Sequence, residues 1–259
     1  MVFFHNMEQL YAKNKVLHQS VVYLPSYWAS TYNESVAVRK SDRCICLNER
    51  DGKLLHKLYN RTPEFYLPIY FEDSVGNREQ QKEKKVPAKN LLFVGSKFPP
   101  NVQGITWFVE NVMPKLPEFH LKIVGRDFET LRDQLTRDNV EVVGGVTDLS
   151  RYYIDAAAMV MPILYGDGMK VKTAEAMMYG KMIFASPEAL VGYDALGVPE
   201  IFLCENAEDF EKQIRFALSE KQETLTCHDD VRDFFVEHYT LDAQKTRLES
   251  FIKELMKQY

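Results

Sequence analysis

The sequence predicts an α/β protein: a Rossmann-like, doubly wound parallel sheet preceded by a partial N-terminal α/β segment. Three observations carry this. From residue 90 onward, short apolar runs alternate with stretches whose apolar residues recur at three-to-four spacing, as in successive βαβ units. Glycine or basic residues follow those runs, at the strand ends where an open parallel sheet holds a ligand. The chain has 259 residues, 46% hydrophobic and 27% charged, which is ordinary globular composition with enough length for a real core.

Taken in order, VFFH reads as a strand, Met7–Leu17 and Tyr23–Lys40 as helices, CICL (Cys44–Leu47) as a strand, Glu49–Tyr59 as a helix and FYLPI (Phe65–Ile69) as a strand. Residues 1–70 hold too few strands for an independent α/β domain and resemble the back half of one. Residues 71–89 carry mixed charges with hardly an apolar anchor and read as a linker. Then come strand LLFVG (Leu91–Gly95), a helix from Asn101 to near Pro114, strand HLKIVG, a helix over Phe128–Thr136, strand VEVVGG and a short helix Leu149–Asp155. Strand AMVMPIL (Ala158–Leu164), a glycine-broken loop, helix Val171–Tyr179, strands MIFAS and EIFLC and helix Ala207–Leu218 complete a domain over 90–220. Residues 221–259 end in helix, with Leu241, Leu248, Ile252 and Leu255 forming one stripe.

Composition also excludes functions. With 32 Lys and Arg against 37 Asp and Glu, the net charge is −5, so a general nucleic-acid binder with a broad basic field is not expected. The longest apolar run, Ala156–Tyr165, is about half of the ~20 residues that a membrane span requires. His5, Asn6 and Glu8 break up what a signal peptide would need at the start. Cys44, Cys46, Cys204 and Cys227 match neither a zinc spacing nor a disulfide framework, and read as reduced thiols of a cytoplasmic protein. No metal site is expected.

The chemistry gathers at the strand ends. Gly95-Ser96 follows the first strand of the sheet, Gly125-Arg126 the second, Gly144-Gly145-Val146 the third and Gly166-Asp167-Gly168-Met169-Lys170 the fourth, all aimed at one crevice. Glycine admits a ligand close to the backbone, helix-start amides attract phosphate, and Arg126 and Lys172 can neutralise it. Lys172 and Glu175 lie three apart on one helix face, with Val171, Ala174 and Met178 expected on the core side. A carboxylate there can accept hydrogen bonds from a ribose diol, although spacing alone favours an ordinary solvated pair.

Across Asn90–Ser186, GSKFPPNVQGITWFVENVMPKL, IVGR, VEVVGGVTDLSRYY and GDGMKVKTAEAMMYGKMIFAS in this order resemble the donor-binding C-terminal domain of GT-B glycosyltransferases of the retaining group 1, family 4-like type. Upstream, HNME and SDRCICLNERDGKLLHKLY resemble the end of that family's N-terminal domain, with only its last part present. The resemblance implies a nucleoside-diphosphate sugar as substrate, no separate cofactor, an acceptor that the sequence does not identify, and sugar transfer with retention in bacterial surface polysaccharide or glycoconjugate synthesis. The implied location is the cytoplasm or the inner face of the membrane. The family's E-x7-E motif falls on Asp167 and Glu175, the first position being the shorter aspartate. Its basic phosphate-binding pair maps to Arg126 and to Lys170 or Lys172, and Val146 to the base contact. The implied catalytic set is Asp167, Arg126 and Lys172; the donor-binding set is Gly95, Ser96, Gly145, Val146, Gly168, Met169, Lys170 and Glu175. A non-catalytic nucleotide-binding module and a GT-B-like epimerase are the alternatives. Self-association through Val21–Tyr32 is expected if that aromatic-rich stretch is a bare surface and not an ordinary core helix.

Overall fold

The computed structural model describes residues 1–75 and 84–257. Its centre is a six-stranded parallel sheet in the order β10-β9-β8-β5-β6-β7, built from β5 (Asn90–Val94), β6 (His120–Val124), β7 (Val140–Gly144), β8 (Ala158–Met161), β9 (Met182–Ala185) and β10 (Ile201–Leu203). Every pairing in it is parallel. The order reverses between β5 and β8, and such a switch point is where a doubly wound sheet opens a crevice above its strand ends.

Parallel strands covered by helices on both faces read as continuous apolar runs, and β8 and β9 are buried at every position. The helices α4 (Pro99–Asn111), α5 (Arg132–Leu135), α6 (Ser150–Asp155), α7 (Val171–Met178) and α8 (Ala207–Leu218) alternate with the strands. Gly104 brings α4 against the sheet, since a Cβ there would lie 1.9 Å from the Pro162 carbonyl oxygen. β8 stops at Met161 and not at Leu164, because Pro162 has no amide to continue the ladder. The helix expected over 128–136 divides into a 3-10 turn, Phe128–Leu131, and the single turn of α5, after Asp127 enters left-handed space at φ 68°.

The front segment forms a three-stranded parallel sheet, β1 (Val2–Phe4), β2 (Cys44–Cys46) and β3 (Phe65–Tyr66), with α1 (Glu8–His18), α2 (Leu24–Lys40) and α3 (Glu49–Tyr59). It has a small core of its own, including Phe4, Met7, Val38 and Leu55. The Val21–Tyr32 stretch is divided: Tyr27 is half-buried, while Trp28 and Tyr32 stand in solvent.

Part of the expected linker, 76–83, lies outside the described residues. The rest is engaged. Phe71 bridges Thr240, and Lys85–Pro87 forms β4, antiparallel to β11 (Glu223–Leu225). The tail therefore adds a strand to its helices α9 (Asp229–Tyr239) and α10 (Leu241–Met256). Lys181 fastens this tail: its buried Nζ donates to the Ala156 carbonyl at 2.8 Å and to Thr226 Oγ1 at 2.6 Å. The Phe251 ring of α10 stacks on Phe65 of β3, 4.6 Å between centroids.

Candidate active site

Beside the switch point, above the ends of β5, β6 and β7, lies a crevice of about 470 Å³, lined by Gly95, Ser96, Gly125, Arg126, Gly145 and Val146 among others. Backbone bonds hold the strand-end loops in register: Gly95 N donates to Val124 O at 3.0 Å, Gly125 N to Gly144 O at 2.8 Å and Lys97 N to Arg126 O at 2.9 Å. Gly125 sits at φ 151°, and a Cβ on it would lie 1.8 Å from the Gly95 carbonyl oxygen. Only glycine permits that approach. The Gly145 amide is occupied, donating to Glu129 Oε2 at 3.2 Å. Arg126 extends an exposed side chain that has no hydrogen-bond or ion-pair partner among the described residues.

Lys172 comes up beneath the first of these loops. Its Nζ donates to Asn101 Oδ1, lies 4.9 Å from the centre of the Phe93 ring, and would be 3.0 Å from a Cβ on Gly95. Burial, helped by the nearby positive charge of Lys170, pushes its pKa down to about 7. Asn101 is the joint, since its Nδ2 also donates to the Ser96 carbonyl at 2.9 Å. Glu175 turns elsewhere: Tyr153 Oη donates to its Oε2 at 3.2 Å, and burial raises its pKa against the lowering effects of Tyr153 and Lys172. Lys172 and Glu175 are therefore not the solvated pair that their spacing suggests. Val171, expected on the core side, is 49% exposed, because α7 starts at Val171 and its first residue projects from the end of the helix.

The loop before α7 faces the front segment. Asn14 Nδ2 donates to both carboxylate oxygens of Asp167 at 3.1 Å, and burial raises the Asp167 pKa. Gly168, at φ 62°, passes under the His5 carbonyl, 3.0 Å from where a Cβ would be. Met169 is buried against Gly192. Lys170 Nζ donates to Glu188 Oε1 at 2.6 Å, to Gly168 O at 2.9 Å and to Asp167 O at 3.3 Å, which uses its three donors. Arg50 of α3 reaches the same Glu188 through Nη1, at 3.0 and 3.1 Å. The structure thus divides the sequence-derived set. Gly95, Ser96, Arg126, Gly145 and Val146 line the crevice, Lys172 lies beneath the Gly95 loop, Glu175 stands one turn deeper, and Asp167, Gly168, Met169 and Lys170 lie at the seam with the front segment.

A family model described as glycosyl transferases group 1 matches residues 88–220. The chain belongs to the group 1 glycosyl transferases. That family match covers the crevice, its two basic residues and Glu175. No curated protein matches the sequence. Among solved structures, the fold of this glycosyl transferase chain is similar to sucrose-phosphate synthase from Thermosynechococcus elongatus, at TM-score 0.74 and 18% identity over 99% of this chain and 68% of that one. It is similar to Anabaena HepE in complex with UDP-glucose, at TM-score 0.66 and 12% identity over 87% of this chain and 68% of HepE. S. aureus TarM matches at TM-score 0.68 and 15% identity over 87% of this chain, which spans 45% of TarM.

Asn101, Tyr153, Asn14, Arg50 and Glu188 lie outside the sequence-derived set. Asn101 carried a signal, an amide in the first turn of a helix that Pro99-Pro100 begin shortly after a strand-end glycine. Asn14 and Arg50 carried none, because their partners Asp167 and Glu188 are 153 and 138 residues away.

Proposed function

We propose that this chain binds a nucleoside-diphosphate sugar in the crevice above β5, β6 and β7 and transfers the sugar with retention, in bacterial surface polysaccharide or glycoconjugate synthesis. The reading rests above all on two cationic side chains, one at the edge of a glycine-walled opening and one beneath its first loop. Arg126 reaches in from the β6 end without a partner, and Lys172 approaches beneath Gly95. A diphosphate lying between them would have its charge balanced on two sides, and catalysis would consist of holding the donor and stabilising the departing diphosphate. Gly95, Ser96 and Gly145 are assigned to backbone approach, Val146 to the base and Glu175 to the ribose hydroxyls. Of the two candidate lysines, Lys172 is assigned to phosphate and Lys170 to holding the Asp167 loop. A ligand complex in HepE, which contains UDP-glucose, supports the donor class.

Calorimetry with a panel of nucleoside diphosphates and their sugars tests this. Glu175→Gln, which keeps an acceptor for Tyr153 Oη, is expected to preserve the unfolding midpoint and to weaken the best-bound nucleotide about tenfold. Glu175→Ala should lose the same affinity and also destabilise the fold by about 1–3 kcal/mol, because Tyr153 is left with a buried, unpaired hydroxyl. Unchanged affinity in both variants rejects the ribose assignment.

A second reading, donor binding without transfer, draws on Asp167. It replaces a longer glutamate of the family motif, and both its oxygens are held by Asn14. Release of free nucleoside diphosphate from the bound donor, with or without an acceptor, separates the two.

A further inference from the structure

Asn101, in the first turn of α4, ties a side chain of α7 to the loop that follows β5. Its Nδ2 donates to the Ser96 carbonyl at 2.9 Å, and its Oδ1 accepts from Lys172 Nζ. Chemistry fixes which way round the amide sits, since a carbonyl only accepts and an ammonium only donates. Both contacts lie directly beneath Gly95, where a Cβ would meet Asn101 Nδ2 at 2.9 Å and Lys172 Nζ at 3.0 Å. The same loop registers the second cation of the crevice. Ser96 O also accepts from Phe98 N at 2.7 Å, and the neighbouring Lys97 N donates to Arg126 O at 2.9 Å. The Phe93 ring, 4.9 Å from Lys172 Nζ, attracts the ammonium without fixing its direction. Among the described residues Asn101 supplies the hydrogen-bond acceptor for this ammonium, which leaves two of its three donors for a ligand.

We propose that Asn101 is a positioning residue: it holds the Lys172 ammonium in one place beneath the Gly95-Ser96 backbone, where a diphosphate would meet it. The diphosphate in this statement rests on the donor reading of the crevice. A lysine head on a flexible four-carbon stem otherwise spreads over many rotamers, and ordering it only when the ligand arrives weakens binding. Asn101 orders it beforehand and sets its distance from the loop. An aspartate would hold the lysine but turn an oxygen toward the Ser96 carbonyl, and a leucine of similar shape would make neither bond. The charged groups that face Lys172 are Lys170 and Glu175, from its own loop and helix, while α4 and β5 present the neutral Asn101 and Phe93. The amide oxygen favours the charged lysine, against the burial that brings its pKa down to about 7.

Two measurements on the full chain test this, the first without any nucleotide. Trace acetylation with acetic anhydride across pH, followed at Lys172 by mass spectrometry, should give a midpoint near 7 in the parent. Asn101→Leu should move that midpoint down and Asn101→Asp should move it up, each by about one pH unit. If Asn101→Leu does not fold, the Asn101→Asp midpoint alone decides. The second measurement is a double-mutant cycle by calorimetry, with UDP, GDP and ADP as probes. Asn101→Leu is expected to weaken the best-bound of them about tenfold in the parent and less than about twofold in a Lys172→Met background. A residue that merely supports α4 would cost the same affinity in both backgrounds and leave the acetylation midpoint unmoved. Unshifted midpoints, or equal losses in both backgrounds, overturn the proposal. A parent that binds none of the three nucleotides refutes the donor reading instead; shifted acetylation midpoints would then still uphold the hold of Asn101 on Lys172, and unshifted ones overturn it.

Discussion

Gly125→Ala is expected to lower the thermal unfolding midpoint by roughly 10 °C, corresponding to a loss of about 3 kcal/mol or more. Two costs combine at this position. The added Cβ would lie 1.8 Å from the Gly95 carbonyl oxygen, a backbone atom that moves only if the β5 loop moves, and φ 151° is a conformation that L side chains rarely adopt. Gly197→Ala isolates the second cost: Gly197 sits at φ 114° with nothing within 4 Å of its would-be Cβ, so it should lose only about 1 kcal/mol. Midpoints that fall equally in the two variants, followed by circular dichroism, would show that crowding between the crevice loops is not what fixes glycine at 125.

Affinity for the best-bound nucleoside diphosphate should fall as pH rises above about 7, by as much as tenfold per pH unit. In the free protein burial holds the Lys172 pKa at about 7, whereas a diphosphate beside it favours the ammonium and raises that value. Between the two values the complex binds a proton that the free protein lacks, so binding takes up a proton and weakens with increasing pH. Below about 7 Lys172 is already charged and this dependence disappears. Titrations in two buffers of different ionisation enthalpy count the proton directly. Lys172→Met should flatten the profile and weaken binding about tenfold to a hundredfold. A flat profile in the parent would place the diphosphate away from Lys172.

Where local signals are strong, the sequence and the structure agree closely. Helices Glu49–Tyr59 and Ala207–Leu218 have the bounds that their apolar periodicity predicts, each begun by an asparagine, Asn48 or Asn206, whose side chain accepts first-turn amides. Elements that depend on distant partners were illegible. KVP and ETL are too short and polar to announce β4 and β11, which exist because they pair across the chain. Likewise the spacing of Lys172 and Glu175 is visible on one helix, but their partners Asn101 and Tyr153 come from α4 and α6. The strand-end glycines were readable because their conformational demand is local. The seam between Asp167 and Asn14 was not, because it is made only by the folded chain.

The stack of Phe251 on Phe65 ties the order of synthesis to the order of assembly. Phe65 leaves the ribosome early, and the ring that covers it belongs to α10, the last helix described. At about 5–20 residues per second, the intervening chain takes on the order of ten seconds to half a minute to be made. Once β10 has been made, within that interval, the six-stranded sheet has all of its strands, while the front sheet still lacks the ring that covers Phe65. A nascent chain therefore completes its six-stranded half first, and its front half stays open to chaperones and to misplaced contacts until translation reaches α10.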